Sequence, residues 1–385
     1  MRQRGSIFKR CKHARQSWPK CSHAWTIVVT IGKDPDGKPM QLWRTVSGSL
    51  ADAEKERTSL LHGYDAGTVV PAGRRTTLSE YLEDWLKHMR TRIRPTTWER
   101  YRNLLHGHVY PLIGGVRLGQ VRPRDIQRVL DEMLAAGAAP RSVVQCYRVL
   151  SSALRQAVRW QMIPNNPASA VQPPRPSRPV LQVPDARAVA KLLQASEGTP
   201  IELPVLVAAT TGMRRGEICG LRWADIDETP EGTVARVTGT LQRIGGVLQR
   251  VDPKTDRARR VIALPHRLVE ALNRHRKEQA ERRLAFGAGW ADNDLILERG
   301  DGEPCDPDTL THQFGKLAKT AGIEGVRLHD MRHAYATALL RHGVHPKIVS
   351  EALGHSSTAF TMDTYSHVVS SMQRAAADAI EAELG

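Results

Sequence analysis

Between residues 164 and 184 the chain reads PNNPASAVQPPRPSRPVLQVP, with seven prolines. Proline lacks an amide hydrogen and fixes φ, so such a run builds neither a helix nor a sheet ladder and behaves as a semi-rigid spacer. A chain of 385 residues is also too long for one ordinary core. The main domain boundary is therefore expected at 164–184, with different architectures on its two sides.

Upstream, WTIVVTI (25–31), the turn signal DPDG (34–37) and MQLWRTVS (40–47) read as two strands of a small sheet. SLADAEKERTSLLHGYDAG (49–67) follows as an amphipathic helix with Ser49 as its N-cap and glycine at its end. Residues 76–163 read as all helix. Leu78, Tyr81, Leu82, Trp85, Leu86 and Met89 recur at helical spacing behind a Thr77 cap. Further helices are expected from Pro95, over 122–137 and over 141–158, making a four-helix bundle.

Charge separates the two sides as well. Residues 1–75 carry 14 basic and 6 acidic side chains and residues 76–165 carry 14 and 7, so nearly all of the formal +16 lies before the spacer. Positive charge confined to two folded segments is an electrostatic footprint for a polyanion. Five scattered cysteines (Cys11, Cys21, Cys146, Cys219, Cys305) suit a reducing cytoplasm better than a disulfide framework. No apolar stretch follows the basic start, and the longest apolar run, near 201–209, is too short for a bilayer, so a soluble intracellular protein without a membrane partner is expected.

Downstream of the spacer, residues 185–385 read as mixed α+β: helices over 185–196 and 200–222, a β-hairpin region, then helices to the C-terminus. Within it, HDMRH (329–333) poses a choice. His329 and His333 share a helix face at the spacing of a zinc protease, while His329 and Arg332 share one that suits a phosphate. The metal reading lacks the glutamate that a zincin carries after its first histidine, and it lacks a third ligand. The phosphate reading is preferred. Met331, Tyr335, Ala338 and Leu339 are expected on the buried side, with Arg332 at the edge.

Three more patches complete an ordered set. TTGMRRGEICGLRW (210–223) presents Arg214 from a glycine turn at the start of a short helix. QRVDPKTDRARRVIAL (249–264) places Lys254 on a turn between strands, and LGHSSTAFTMDTYSHV (353–368) brings His355 after a helix-ending glycine, with Tyr365 ten residues on. This order of Arg214, Lys254, His329-x-x-Arg332, His355 and Tyr365 resembles the tyrosine recombinases, and specifically the phage-type integrases. The resemblance covers 185–385 as the catalytic domain. Residues 76–163 are similar in position and pattern to the family's core-binding domain, and residues 1–70 resemble the arm-type DNA-binding domain of the larger integrases.

The resemblance implies a site-specific DNA recombinase that integrates, and with a partner excises, a phage or mobile element. It implies a multidomain fold, mainly α with small β-sheets. Arg214 and Arg332 would clamp the phosphate, Tyr365 would attack to leave a 3′-phosphotyrosyl link, and Lys254 would protonate the departing 5′-oxygen. His329 would assist proton transfer, His355 would donate to a phosphate oxygen, and Glu217 would support the arginines. Two guanidiniums can neutralise the building charge in place of a metal, and a phosphotyrosyl link would store the bond energy for rejoining, so no catalytic metal, ATP or other cofactor is expected. Implied partners are double-stranded attachment sites, three further copies of the chain on DNA, an excisionase and a DNA-bending host factor. The implied location is the nucleoid of a bacterial host. SMQRAAADAIEAEL (371–384) is a candidate helix for docking into a neighbouring subunit.

Taken singly, these residues have plainer readings. Tyr365 shares a face with Met362 and Val368 and reads as a core aromatic; the histidines read as polar-face or cap residues. Their joint order overrides that. Alternatives to an integrase are a chromosome-dimer resolvase or transposon recombinase of the same family, a non-catalytic DNA-binding regulator and a metal-dependent nuclease. One metal pattern stands apart from catalysis: Cys11, His13, Cys21 and His23 offer four ligands for a structural zinc, although their spacing is not a common finger spacing.

Overall fold

The computed structural model describes residues 5–33, 39–65, 76–177, 183–253, 258–355, 357–365 and 380–384. The chain divides into two compact units, Met1–Arg178 and Pro179–Gly385.

The first unit holds a sheet with a helix and, separately, a helical bundle. The strands β1 (Gly5–Lys9), β2 (Trp25–Lys33) and β3 (Pro39–Val46) form an antiparallel sheet with β2 in the middle. β1 does not stand out in the sequence, because GSIFK carries too short a pattern to separate from the basic segment around it. Trp25, Ile27 and Val29 alternate along β2 and pack with Leu42, Ala53 and Leu60, the last two from α1 (Leu50–Asp65). That core is small.

The bundle comprises α2 (Leu78–Arg90), α3 (Pro95–Leu104), α4 (Tyr110–Ile113), α5 (Pro123–Ala135) and α6 (Pro140–Arg159). Helix α2 begins with a capping box in which the Thr77 hydroxyl accepts from the Glu80 amide and Glu80 accepts from the Thr77 amide at 2.7 Å. Val143, Cys146, Val149, Leu150, Ala153, Leu154 and Ala157 give α6 its buried stripe, and the Tyr81 hydroxyl donates to the Ala153 carbonyl at 2.6 Å. A π-turn over Leu105–Val109 separates α3 from α4.

The spacer starts later than its prolines suggest. Pro167–Ala170 forms a 3-10 turn, and Ile163, Ala168 and Val171 are buried in the bundle core. Asn166 donates to the Ser151 carbonyl at 3.1 Å, and Tyr147 donates to the Ala168 carbonyl. Proline excludes ladder hydrogen bonds, but it does not exclude packing, so residues 164–171 belong to the bundle.

The second unit is built around α8 (Glu202–Thr211), which is buried on nearly every side, as expected of a helix at the centre of a domain. Around it lie α7 (Ala186–Ser196), α9 (Arg215–Cys219), α10 (His266–Phe286), α11 (Pro307–Thr320) and α12 (Leu328–Arg341). The expected helix over 200–222 is two helices. Gly212 takes φ 61°, ending α8 in a left-handed cap, and the chain restarts at α9. The strands are β4 (Ile226–Thr229), β5 (Gly232–Val237), β6 (Thr240–Ile244), β7 (Val247–Val251) and β8 (Arg260–Ala263), paired as a β4-β5-β8 sheet and a β6-β7 hairpin. Lys254 lies outside the described residues. The described strands before and after it, β7 and β8, belong to different sheets. Helices α13 (Pro346–Leu353) and α14 (Thr358–Thr364) follow α12, and most of the candidate docking segment 371–384 lies outside the described residues.

Candidate active site

The end of α13 organises the site. Gly354 adopts φ 61° and ψ 46°, so the last carbonyls of α13 have no partners further along the helix. Three successive carbonyls each receive a different guanidinium. Arg260 donates to Ala352 at 2.6 Å, Arg332 to Leu353, and Arg214 to Gly354 at 3.3 Å. A helix C-terminus carries partial negative charge, which suits three cations gathered there. Arg332 also donates to the Gly212 carbonyl at 2.8 Å, so the cap of α8 fixes it from the other side.

Glu217 offsets part of this positive charge by holding two of the three arginines. It is 7% exposed and accepts from Arg214 at 2.7 Å and from Arg260 at 2.7 and 3.2 Å, while its second oxygen also accepts from the Arg214 amide. Burial alone would raise its pKa, but the hydrogen bonds and charge of Arg260, with the charge of Arg214, hold it at about 2. Arg332 is 3% exposed, and burial together with the charges of Arg214 and Arg260 lowers it to about 9, still cationic at neutral pH. It is part of the buried face of α12 and not its edge, while Ala338, expected to be buried, is exposed. A buried arginine is stable there because carbonyls receive its donors.

Tyr365 caps the end of α14 and is fully buried, its ring packed in a small cluster with Ala336, Leu340, Val349 and Leu353. Its hydroxyl meets Nδ1 of His333 at 2.8 Å. Burial pushes the phenol up to about 12 against the opposing charge of Arg332. Burial, and then the neighbouring His329, lower His333 to about 4, so its imidazole is neutral at pH 7. The phenol can therefore donate to it.

His329 lies at the surface with its ring 5.1 Å from that of His333; loss of water around it, and then the charge of Arg332, lower its pKa. His355 follows Gly354, with Nδ1 2.7 Å from the Thr361 hydroxyl. Burial, and then Arg332 and Arg214, lower it to about 3.

The structure thus gathers Arg214, Glu217, Arg332, His329, His355 and Tyr365 around the ends of α8, α12 and α13. Two members were not expected. Arg260 is hidden in the run RARRVIAL, where only the strand register shows which arginine points inward, and its side chain is 5% exposed. His333 reads in the sequence only as a zinc partner of His329, although its place directly after Arg332 is a signal that it faces the same cluster. At the far end of the chain, Cys11, His13, Cys21 and His23 also come together, with one ligand atom from each within 4.8 Å of the others.

Comparison with known proteins agrees with this architecture. The pattern of the Phage integrase family matches residues 183–372, and that of the phage integrase N-terminal SAM-like domain matches residues 77–134. A tyrosine recombinase XerC-like protein of Caldanaerobacter subterraneus subsp. tengcongensis is 27% identical over 364 residues, covering 90% of this chain and 92% of its own. An integrase of Streptomyces ambofaciens is 28% identical over 364 residues, covering 90% of each chain. Among solved structures, the Tn1549 transposon integrase bound to a circular intermediate DNA superposes with a TM-score of 0.66 at 20% identity, covering 78% of this chain and 99% of that one. A lambda integrase tetramer bound to a Holliday junction gives a TM-score of 0.56 at 18% identity, covering 87% and 91%. With both patterns matched in order and relatives aligned along nearly the whole chain, this protein belongs to the phage integrase family of tyrosine recombinases and is a site-specific DNA recombinase.

Proposed function

We propose that this recombinase cuts and rejoins DNA through Tyr365 and uses guanidinium groups where many phosphoryl-transfer enzymes use metal. The observation that carries this reading is the set of three arginines on three successive carbonyls of α13, beside the His333–Tyr365 hydrogen bond. Each guanidinium has five N–H donors, so Arg332, with two engaged, keeps others for a phosphate. Arg214, 39% exposed, is the arginine that reaches toward solvent.

In the forward step the Tyr365 oxygen forms a bond to phosphorus as the bond from phosphorus to the 5′-oxygen breaks. The phenolic proton passes to His333, and Lys254 gives a proton to the departing 5′-oxygen. Arg214 and Arg332 neutralise the charge that grows on the non-bridging oxygens, His355 donates a hydrogen bond to one of them, and His329 assists proton transfer at the mouth of the site. A 5′-hydroxyl from the other duplex reverses the sequence. One phosphoester replaces another at each stage, so no ATP is consumed. Because Tyr365 is fully buried, DNA binding has to shift α14 before attack.

The substrate is double-stranded DNA carrying attachment sites. The basic helical bundle and the second unit would hold the core site, and the N-terminal sheet would hold arm sites. Four chains, as in the lambda integrase complex, would exchange strands in pairs, with an excisionase and a DNA-bending host factor setting direction on the bacterial nucleoid. Among the described residues no helix is long and apolar enough to cross a membrane. The basic N-terminal domain favours integration of a mobile element over chromosome-dimer resolution.

Incubation with a nicked suicide duplex carrying the attachment site tests the reading. A covalent adduct mapping to Tyr365 is expected, formed equally well with and without added magnesium. Tyr365→Phe should keep DNA binding and lose cleavage by at least about 10³-fold. An adduct on another residue, or cleavage that survives in Tyr365→Phe, would overturn it.

A further inference from the structure

The connection from β1 to β2 brings two Cys-x-His segments face to face. Cys11 and His13 leave β1, Cys21 and His23 lead into β2, and the pairing of Lys9 with Trp25 closes the loop between them. A 3-10 turn, Arg15–Lys20, spans the gap, and Trp18 within it donates to the His13 carbonyl at 3.1 Å and packs edge-on against Trp25. Lys9 donates to the Cys21 carbonyl at 2.7 Å, tying the two arms together.

The donor geometry suits a metal better than a disulfide. The Sγ atoms of Cys11 and Cys21 are 3.9 Å apart and both thiols are free. A disulfide requires about 2.05 Å. In a tetrahedron with each sulfur about 2.3 Å from zinc, the sulfurs stand about 3.8 Å apart. The rings of His13 and His23, with centroids at 5.4 Å, supply the other two corners.

We propose that Cys11, His13, Cys21 and His23 bind one structural zinc ion as a Cys2His2 site. Two physical circumstances favour it. Among its described residues the sheet-and-helix domain has a core cluster of six buried apolar side chains, and domains of that size commonly need a metal or disulfide staple. Two thiolates also cancel the charge of the ion, so the exposed Arg10, Lys12, Arg15 and Lys20 beside it need not repel it. The site does not depend on the chemistry assigned to Tyr365.

Metal analysis of the full chain, purified under reducing conditions without added metal, should find one zinc per chain. Replacement with cobalt(II) should give the visible bands of a tetrahedral thiolate site, a reading taken on the unsubstituted protein and so independent of variant folding. Cys11→Ser and Cys21→Ser should each lose the zinc, whereas Cys146→Ser and Cys305→Ser should keep it. Absence of stoichiometric zinc, a cobalt spectrum without tetrahedral bands, a Cys11–Cys21 disulfide in the reduced preparation, or full zinc retention in Cys11→Ser or Cys21→Ser would overturn the proposal.

Discussion

Arg260 grips Glu217 with two nitrogens, at 2.7 and 3.2 Å, and both side chains are less than a tenth exposed. Glu217 in turn holds Arg214, so a residue of β8 fixes an arginine at the start of α9 through a shared carboxylate. Removing one partner of a buried ion pair leaves the other charged and without compensation. Arg260→Met should therefore destabilise the chain by about 3–5 kcal/mol, read by urea unfolding. Arg260→Lys keeps the charge but loses the two-pronged grip, and should lower cleavage more than it lowers DNA affinity. Equal losses in both would show that Arg260 has no positioning role.

The contact between His333 and Tyr365 invites a double-mutant cycle. His333→Phe leaves the phenol buried without its partner and should cost about 1–3 kcal/mol. Adding Tyr365→Phe removes the orphaned group, so the double variant should recover part of that loss. Additive unfolding energies would mean that the hydrogen bond contributes nothing to stability.

Gly212 combines a left-handed φ of 61° with a crowded setting. A Cβ there would lie 2.5 Å from Cδ1 of Tyr335. Gly212→Ala should cost about 1–2 kcal/mol from backbone conformation alone, with the steric clash adding to it. Since the Gly212 carbonyl holds Arg332, cleavage by the folded fraction should fall as well, measured as adduct yield at equal DNA occupancy.

Acid should weaken the second unit in two stages. His333 and His355 titrate at about 4 and about 3 when folded, against an ordinary value of 6.5. Between those values the unfolded chain binds protons that the folded site refuses. Stability is thus fully present above about pH 6.5 and declines as pH falls toward 4. Glu217, held at about 2 against 4.5, adds a further loss below pH 4.5. Urea unfolding across this range should show the decline, and His355→Gln should flatten its upper stage.

The helices of the bundle were legible because their apolar positions repeat with helical period, as at Leu78, Tyr81, Leu82, Trp85 and Leu86, all of them buried. The ordered motifs singled out six candidate positions, and the five that fall among the described residues lie close to one another. Less was legible where tertiary contacts outweigh local pattern. No periodicity distinguishes the inward Arg260 from the exposed Arg259; strand register does that. Arg332 seemed a surface residue because a charged side chain is normally solvated, and only the carbonyls of Gly212 and Leu353 make its burial tolerable. Ile163, Ala168 and Val171 were hidden among prolines whose packing no local rule announces.

The anchor shared by the three arginines also sets a timetable. Arg214, Arg260 and Arg332 precede their carbonyls in the sequence by 140, 92 and 21 residues respectively. A chain growing from the ribosome makes every one of these cations before it makes Gly354. Until that glycine emerges, the row of carbonyls on which all three cations meet is incomplete, only the shared carboxylate of Glu217 can join Arg214 to Arg260, and the arginine cluster stays unfinished until nearly the whole chain has been made.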